Sequence, residues 1–457
     1  METNVKNGVN KFQELIANQG ELTEFLEKYP TVEVAEMIEN LNTGDMLHCF
    51  DLLPLERQGA IFSELQLTRQ LSFFQQVSKK RFGPIFEHMY SDHRADLFQH
   101  FTQQEKTAIL PFLSGEVREN VIHLSAYPPE TAGGIMRTDF TAIREDLSCR
   151  QAIEQVRSSS TKNLIYYVYV VDENMRLLGF SSLKDIIMAD PSSMVRKIYH
   201  REFVYSMVEE DREEVAKKVE KYDLVAIPVL NSENQLIGLV HHDDALEVIR
   251  AEHTEDMEKF MGIVPGDEIL DYNQTSTFGH FRKRVVWLSL LAVLGVISGI
   301  IIHSFEETLA TLIILAMYIP MVADTGGNAG SQAATVVIRA LALGQLKLAD
   351  WLRIIWKEAR IAFLLAIVLG IIAFGKVLWL SWNTHIPPEY DLFFLAFGIS
   401  LALSFQVITS TVVGACLPLL VKRFGGDPAV AASPAITTTV DITGLLIYFG
   451  IAMMLFF

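Results

Sequence analysis

A single aspartate lies near the middle of the last thirty residues of this chain, and no other residue there is charged. Asp441 is preceded by PAVAASPAITTTV and followed by ITGLLIYFGIAMMLFF, so the segment Pro428–Phe457 is long enough to cross a bilayer. A carboxylate near mid-membrane costs about 3 kcal/mol or more unless it faces a partner, an ion or water. Asp441 is therefore a candidate functional residue; the alternative is a structural hydrogen bond to a neighbouring helix.

A second polar segment interrupts another apolar stretch, in the sequence YIPMVADTGGNAGSQAATVVIRALALG that begins at Tyr318. The polar side chains that fall within nine residues there include Asp324, Asn328, Ser331 and Gln332. Because Pro320 removes a helical donor and three glycines permit irregular backbone, we expect a non-helical stretch that lines a water-filled path together with the segment around Asp441. The alternative is that both segments pack small residues against neighbouring helices. A milder polar set could line or buttress the path: Ser404, Gln406, Thr409, Ser410 and Thr411.

Carboxylates are concentrated ahead of these segments. The stretch HDDALEVIRAEHTEDMEKFMGI, residues 242–263, is typical of a strongly acidic helix, in which Asp244, Glu247 and Glu255 share one face. Three more acids lie earlier in the chain: Asp211, Glu213 and Asp223. Because like charges repel, a divalent cation would favour a conformation that brings these groups together. The alternative is an ordinary solvated helix face.

Charge divides the chain into two parts. The whole chain holds 55 Asp and Glu against 38 Lys and Arg, whereas residues 281–457 hold nine acids and eleven bases. The net charge of −17 therefore resides in the first part, which predicts an acidic soluble region that attracts cations and repels nucleic acid. The three cysteines (Cys49, Cys149 and Cys416) show no metal spacing and no disulfide framework. The N-terminus lacks a signal-peptide core, so we expect the soluble part to be cytoplasmic.

Apolar runs predict five membrane spans: Val285–Ile302, Thr308–Leu343, Ile361–Trp382, Leu392–Val421 and Pro428–Phe457. Basic residues cluster before the first span, between the second and third, and between the fourth and fifth. The other two loops, HSFEET and NTHIPPEYD, carry acids and no Lys or Arg. The positive-inside rule therefore predicts a multi-pass protein with its N-terminus in the cytoplasm and its C-terminus outside.

The soluble part contains a helical segment and an internal repeat. Residues 1–134 are predicted to be helical, because apolar residues recur at three- and four-residue steps through Phe12–Leu26, Thr31–Leu41, Gln58–Leu67 and Glu105–Leu113. YVVDENMRLLGFSSLKDI from Tyr169 then aligns without gaps with PVLNSENQLIGLVHHDDA from Pro228, and this pattern is similar to a tandem pair of CBS domains. The predicted fold class is multidomain, with an all-α N-terminal domain, an α/β CBS pair, a plug helix and a five-helix transmembrane domain. The predicted domains are 1–134, 135–200, 201–250, 251–280 and 281–457.

Several motifs together resemble the MgtE family of bacterial magnesium channels. They are GGNAGSQAATVVIRALA, TTTVDITGLLIYF, YPPETAGGIM from Tyr127 and HDDALEVI from His242, within the same order of domains. The resemblance covers essentially the whole chain. It implies a homodimer in which two copies of the second and fifth spans enclose one pore.

The resemblance also implies roles for individual residues. Asp441 takes the place of the aspartate that holds a hydrated magnesium ion in the pore, the carbonyl of Thr437 faces that ion, and Asn328 lines the pore. Cytosolic acids of the family bind magnesium and lock the connecting helices over the pore. The matching positions here are Asp92, Asp96, Asp211, Glu213, Asp223, Asp244, Glu247, Glu252, Glu255 and Asp256.

The implied function is a magnesium-selective channel or transporter of the bacterial plasma membrane, closed by intracellular magnesium. Mg²⁺ would be both cargo and regulator, and an adenine nucleotide is a further candidate ligand of the CBS pair. The residues alone leave open a proton- or sodium-coupled secondary carrier of Mg²⁺, Co²⁺ or Mn²⁺. The chain has no HExxH, nucleophile elbow or P-loop lysine, so we expect neither enzymatic activity nor a nucleic-acid partner.

Overall fold

The computed structural model describes residues 19–39, 41–158, 165–264, 266, 275–430 and 433–457. The chain divides into two compact units, Met1–Arg250 and Ala251–Phe457, and each is described here by itself. The start of the predicted helical stretch Phe12–Leu26 lies outside the described residues. The division between the units falls within the helix His242–Phe260.

The first unit begins with a module in which every described regular element is helical, as predicted. Its core is rich in fully buried phenylalanines; Phe50, Phe62, Phe73 and Phe82 meet at ring-centroid separations of 5.3 to 6.3 Å. Each short helix is too small to be stable alone and buries its apolar face in this cluster. The α-helices are α1 Gln19–Lys28, α2 Thr31–Glu39, α3 Thr43–Asp51, α4 Leu55–Ser63, α5 Leu67–Gln76, α6 Lys79–Glu87, α7 Ser91–His100, α8 Gln103–Ile109 and α9 Gly115–Leu124.

The predicted repeat forms two three-stranded sheets of identical order, one parallel pair followed by one antiparallel pair. Val170 lies opposite Gly179 in the first sheet, and Val229 lies opposite Gly238 in the second, so the aligned positions occupy equivalent places. The alignment of the two copies is therefore confirmed. The strands are β1 Ala142–Arg144, β2 Tyr167–Val171, β3 Leu177–Ser182, β4 Ser206–Met207, β5 Ala226–Leu230 and β6 Leu236–His241, and the helices are α10 Ala132–Ile135, α11 Cys149–Ser158, α12 Leu183–Met188 and α13 Arg212–Lys221.

In each CBS copy, the segment that precedes the sheet forms backbone hydrogen bonds with the sheet of the other copy. Arg137, which precedes the first sheet, exchanges backbone hydrogen bonds of 2.7 and 2.8 Å with Leu239 of the second sheet. In the same way His200, which precedes the second sheet, pairs with Phe180 of the first. The segment ahead of each copy therefore completes the other copy. This exchange brings Arg137 to the second copy, although it is closer in sequence to the first.

One helix, α14, runs from His242 to Phe260 and begins directly after β6. The predicted plug helix of residues 251–280 is not a separate helix in the described part, because residues 251–260 form the end of α14. Residues 265 and 267–274 lie outside the described residues.

Among the described residues of the second unit, four helices are long and apolar enough to cross a membrane: Thr277–Ser304 (α15), Leu348–Leu380 (which contains α18, Trp351–Leu380), Leu392–Arg423 (α19) and Ser433–Phe456 (α20). They correspond to four of the five predicted spans. The predicted second span instead forms a short helix, α16 Glu306–Thr311, and a helix of 29 residues, α17 Ile314–Ala342. Helix α17 is also long enough to cross a membrane, but its polar residues make it less apolar than the four helices named above. It packs against α19 and α20.

The expectation of irregular backbone at the glycine motif is wrong. Helix α17 continues without a break from Ile314 to Ala342, so its glycines are all helical. They serve close packing instead, as the alternative interpretation held. A Cβ added at Gly414 of α19 would lie 2.1 Å from the carbonyl oxygen of Gly330, and one at Gly326 would lie 2.5 Å from the amide of Gln406. Two helices can therefore approach at backbone distance, which is typical of membrane bundles.

We expect Gly414→Ala to destabilise the second unit by about 1–3 kcal/mol, because the added methyl group meets backbone that cannot move aside. Unfolding of the purified protein in detergent by increasing sodium dodecyl sulfate measures the effect. Gly450→Ala is the matched control, since its Cβ meets no atom of another segment within 4 Å. Equal unfolding midpoints for the two variants would contradict the close contact.

Candidate functional site

The polar side chains of α17 lie on one side of the helix. Asp324, Asn328 and Gln332 follow at four-residue steps, so they share a face, and all three are exposed in the chain. Gly326 and Gly330 lie on the opposite side and are buried against α19. A polar face on a membrane helix requires cover from protein or contact with water. Helix α17 thus joins a packed face to a hydrophilic face.

Helix α20 places Asp441 one turn beyond Thr437, and both side chains are half-buried. A chain of hydroxyl groups ties this helix to α17: Ser331 lies 3.1 Å from Ser433 and 3.5 Å from Thr437. A Cβ added at Gly327, beside Asn328, would lie 3.1 Å from a methyl carbon of Thr437. The predicted pore residues therefore lie along one helix crossing. The Thr437 carbonyl belongs to continuous helix, where it accepts one intrahelical bond and keeps one lone pair.

The seam between α17 and α20 also holds Asp324, one of the polar residues of the segment predicted to line the path. Helix α17 packs against α20, so the carboxylates of Asp324 and Asp441 belong to two adjoining helices. Carboxylates that come close repel each other, and a cation or water near both would relieve that repulsion. The sequence shows Asp324 as a polar residue within an apolar run, but it does not show which helix packs against that run.

The polar set of α19 buttresses the seam. Gln406 is fully buried, and its amide nitrogen donates to the carbonyl oxygen of Val440, the residue before Asp441, at 2.8 Å. Ser410, Thr411 and Thr409 instead donate to carbonyls of their own helix one turn earlier, at 2.6 to 2.9 Å. Of the two predicted roles, lining or buttressing, these contacts support buttressing.

A buried charge cluster lies in the first unit, where α7 meets the start of α14. Arg137 donates from Nε to Asp92 at 3.1 Å and forms ion pairs with Asp244 and, at 3.3 Å, with Asp243. Its guanidinium also lies over the ring of Tyr90, 4.8 Å from the centroid. Two predicted magnesium ligands, Asp92 and Asp244, are thus brought together, with an arginine bridging them.

His93 also belongs to this cluster. Within the described part of the chain, one group brings three metal-ligand atoms within 4.8 Å of one another, and it consists of Asp92, His93 and Asp244. The ring atom Nδ1 of His93 is 2.8 Å from the carbonyl oxygen of Ser63, so this nitrogen is the donor. Its Nε2 faces Asp92 at 3.7 Å.

The acids of the cluster have opposite pKa shifts. Burial by itself raises the pKa of Asp92, but the charges of His93 and Arg137 outweigh it and hold that pKa below its usual value. Burial and the charge of Asp92 raise the pKa of Asp244 to about 8, against the effect of Arg137. Burial lowers the pKa of His93, but the charge of Asp92 outweighs it, so the net shift favours the cationic ring. The cluster thus disfavours a second full negative charge.

A second charge cluster lies in the second unit. Lys259 of α14 donates to Glu255, one turn earlier, at 2.8 Å and to Asp427 at 2.9 Å. Asp427 lies in the connection between α19 and α20 and also accepts the backbone amide of Ala429. Burial lowers the pKa of the Lys259 ammonium, but the hydrogen bonds to Glu255 and Asp427 outweigh it and raise that pKa above its usual range. The predicted ligand Glu255 is therefore paired with a lysine.

The other predicted cytosolic ligands are dispersed. Asp96 is exposed on α7. Asp211 caps α13 and accepts the amide of Glu213 at 2.9 Å, and Glu213 forms an ion pair with Lys217. Asp223 is exposed in a left-handed turn with φ of 50°. On α14, Glu247 is exposed, whereas Glu252 and Asp256 are half-buried.

The cleft between the two CBS sheets is largely filled by aromatic side chains. Its free volume is about 60 Å³, and its lining includes Tyr167, Tyr169, Phe180 and Phe203. Sites for drug-sized ligands usually measure about 300–1,000 Å³. The prediction of a bound adenine nucleotide therefore requires these side chains to move, and it stays a prediction.

A helical module, a CBS-type pair and a helical membrane unit with a carboxylate-bearing seam together define a membrane transport protein with a CBS module. Comparison with known families gives the particular group: the chain belongs to the MgtE family. Residues 319–451 match the MgtE model, described as a divalent cation transporter; residues 29–130 match the MgtE intracellular N domain; and residues 132–192 and 195–251 match the CBS domain.

Relatives extend over most of the chain. It is 38% identical over 344 residues to the magnesium transporter MgtE of Thermus thermophilus, covering 75% of this chain and 74% of the relative. It is 34% identical over 331 residues to the MgtE of Bacillus subtilis, covering 72% and 70%. A crystal structure of the soluble part of a magnesium transporter matches with 26% identity and a TM-score of 0.51, covering 54% of this chain and 99% of that one. The expected family and the CBS pair are confirmed.

We expect Gln406→Leu to lower the stability of the second unit by about 0.5–2 kcal/mol, because a buried bond between helices is lost. The free energy of unfolding in detergent micelles measures this change. Thr409→Val is the control, since the hydroxyl of Thr409 is exposed and bonds within its own helix. A Gln406→Leu protein as stable as the control would rule out buttressing by this amide.

Proposed function

We propose that this protein is a magnesium-selective channel of the bacterial plasma membrane, in which Asp441 holds a hydrated magnesium ion. The observation that carries the proposal is the placement of Asp441 and Asp324 on two adjoining helices of an otherwise apolar unit. Carboxylates at that depth require an ion or water between them. Magnesium keeps most of its waters and takes oxygen ligands, so one or two carboxylates suit it. Residues 281–457 contain one cysteine, Cys416, and this scarcity of soft ligands disfavours zinc or copper as cargo.

The pore requires a second copy of the chain. Asp324, Asn328 and Gln332 form an exposed polar face in a single chain, which cannot remain in contact with lipid. A two-fold axis beside this face would cover it and would supply Asp441, Asn328 and the Thr437 carbonyl twice. We therefore propose a homodimer with one pore on the axis, lined by α17 and α20 of both chains.

In this arrangement α17, which corresponds to the predicted second span, crosses the membrane together with the four more apolar helices. Its 29 residues are long enough to cross, and its polar side would face the pore and not lipid. With five spans, the basic residues in the first turns of α15, around the start of α18 and in the last turn of α19 fall on one side of the membrane. The positive-inside rule makes that side cytoplasmic, with the N-terminus inside and the C-terminus outside.

Intracellular magnesium is proposed to close the channel by binding cytosolic acids. The predicted ligands in the two units would supply these carboxylates: Asp92, Asp96, Asp211, Glu213, Asp223, Asp244, Glu247, Glu252, Glu255 and Asp256. Acids that already have partners would contribute when a cation replaces those partners, as at Asp244, Glu213 and Glu255. A divalent ion that bridges such groups favours a compact arrangement of the acidic region. An adenine nucleotide at the CBS pair would be a further regulatory ligand.

We expect Asp441→Asn to abolish magnesium uptake in a bacterial strain that lacks its own importers, because an amide cannot hold the hydrated ion by charge. Growth in low magnesium and uptake into proteoliposomes measure this loss. Asp350→Asn, at an exposed position in the connection between α17 and α18, is the matched control and should transport normally. Full complementation by Asp441→Asn would refute the pore assignment. Uptake that required an imposed proton or sodium gradient would instead favour the alternative, a coupled secondary carrier.

We expect magnesium at millimolar concentration, but not an equal ionic strength of NaCl, to protect the acidic region of the full-length protein from a protease. The triple variant Glu247→Gln, Glu252→Gln, Asp256→Asn should need several-fold more magnesium, since three carboxylates are neutralised. Three exposed glutamates of the helical module, Glu24, Glu33 and Glu36, provide a matched control when changed to glutamine. An unchanged protection midpoint in the first variant would remove these residues from the sensor.

A further inference from the structure

Arg137 is a cation held almost entirely out of solvent. Its side chain is 8% exposed, and those of Asp92 and Asp244 are 11% and 8% exposed. A charge is tolerated at such burial only when several partners satisfy it. The guanidinium group has three carboxylate partners and an aromatic face, so it is well satisfied.

Backbone hydrogen bonds fix the position of Arg137. Both backbone polar groups of Arg137 are bonded to Leu239, so its main chain forms an added edge of the second CBS sheet. Asp244 begins the helix that follows the same sheet. Asp92, by contrast, belongs to α7 of the helical module. The guanidinium therefore joins a carboxylate of the second CBS copy to a carboxylate of the module.

The geometry suits an arginine better than a hydrated metal ion. Magnesium requires octahedral coordination and releases its waters reluctantly, so it needs room for a water shell. A guanidinium is weakly hydrated and offers donors in a planar fork, which permits it to bond two carboxylates in a closed space. Oxygen atom Oδ1 of Asp92 is buried without a hydrogen-bond partner among the described residues, so the module's carboxylate depends on the Arg137 bond to its other oxygen.

We propose that Arg137 is a tethered cation that bridges Asp92 and Asp244 in place of a divalent ion and keeps the helical module docked on the second CBS copy when magnesium is scarce. The inference rests on the proposed magnesium regulation and deepens it. Magnesium must compete with Arg137 for this pair, so sensing falls first on the exposed carboxylates. Arg137 is a positioning residue, since it acts through the docking of the module.

Substitution of Arg137 should make the docking of the helical module on the second CBS copy depend on magnesium. In full-length Arg137→Gln protein without magnesium, the amides of α7 should exchange hydrogen at least about tenfold faster than in the native chain. The reason is that Asp92 and Asp244 lose the cation that bridges them, and Asp92 retains the longer contact with His93 at 3.7 Å. Added MgCl₂ should restore slow exchange, whereas NaCl of the same ionic strength should not. In the native chain, exchange at α7 should be slow with or without magnesium.

Three further variants separate a tethered cation from ordinary packing. Arg137→Lys keeps the charge but loses the fork, and it should retain part of the protection without magnesium. Arg137→Gln combined with Asp244→Asn removes one negative charge as well, and it should regain protection without magnesium. Arg144→Gln is the matched control: Arg144 also pairs with two acids, Asp146 and Glu173, but its side chain is 49% exposed. It should exchange like the native chain.

Each outcome has a defined meaning. Native-like exchange of Arg137→Gln without magnesium would overturn the proposal. Faster exchange that magnesium does not reverse, or that Asp244→Asn does not correct, would show a packing role and also overturn it. A variant that does not fold at all would exchange rapidly throughout the first unit, and the Lys variant then decides between charge and shape. Hydrogen exchange at α7 does not require transport, so its result is independent of the Asp441 test.

Discussion

The repulsion between carboxylates held out of bulk water is the constraint on which both units of this protein depend. In the membrane unit, Asp324 and Asp441 lie on two helices that pack against each other. In the soluble unit, Asp92 and Asp244 meet at a buried junction. Each pair raises the free energy of the folded chain unless a cation or water lies close by. The two units differ in which cation lies close to the carboxylates.

The two units supply these cations differently. At the soluble junction the cation is part of the chain, because the exchange of sheet edges carries Arg137 to the second CBS copy. Lys259 does the same for Glu255 and Asp427 in the second unit. At the membrane seam the described residues place no lysine or arginine against Asp441. In the proposed pore a mobile ion would take that place, which would distinguish a conduction site from a fixed ion pair.

Close helix packing makes the membrane seam possible. Glycines of α17 let α19 approach at backbone distance, and the Gln406 amide then reaches the backbone next to Asp441. We expected these glycines to break the helix, because glycine and proline within an apolar run are compatible with either irregular backbone or tight packing. The sequence pattern of one segment cannot distinguish irregular backbone from tight packing, because the packing contacts are made by a helix more than seventy residues away in the chain. In the proposed homodimer, the second copy of the chain would cover the polar face of α17.

The sequence by itself determined the family, the all-helical module and the register of the CBS repeat, and it singled out Asp441 as a candidate functional residue. These features depend on local periodicity, internal alignment and the rarity of charge in apolar runs, all of which can be read along the chain. Only the tertiary structure decided that the helix of Asp324 packs against the helix of Asp441, that α17 is unbroken, and that Arg137 bridges two predicted magnesium ligands. Those facts depend on which distant segments meet. Burial and side-chain charge then act at distances of a few ångströms, which spacing in the sequence does not encode.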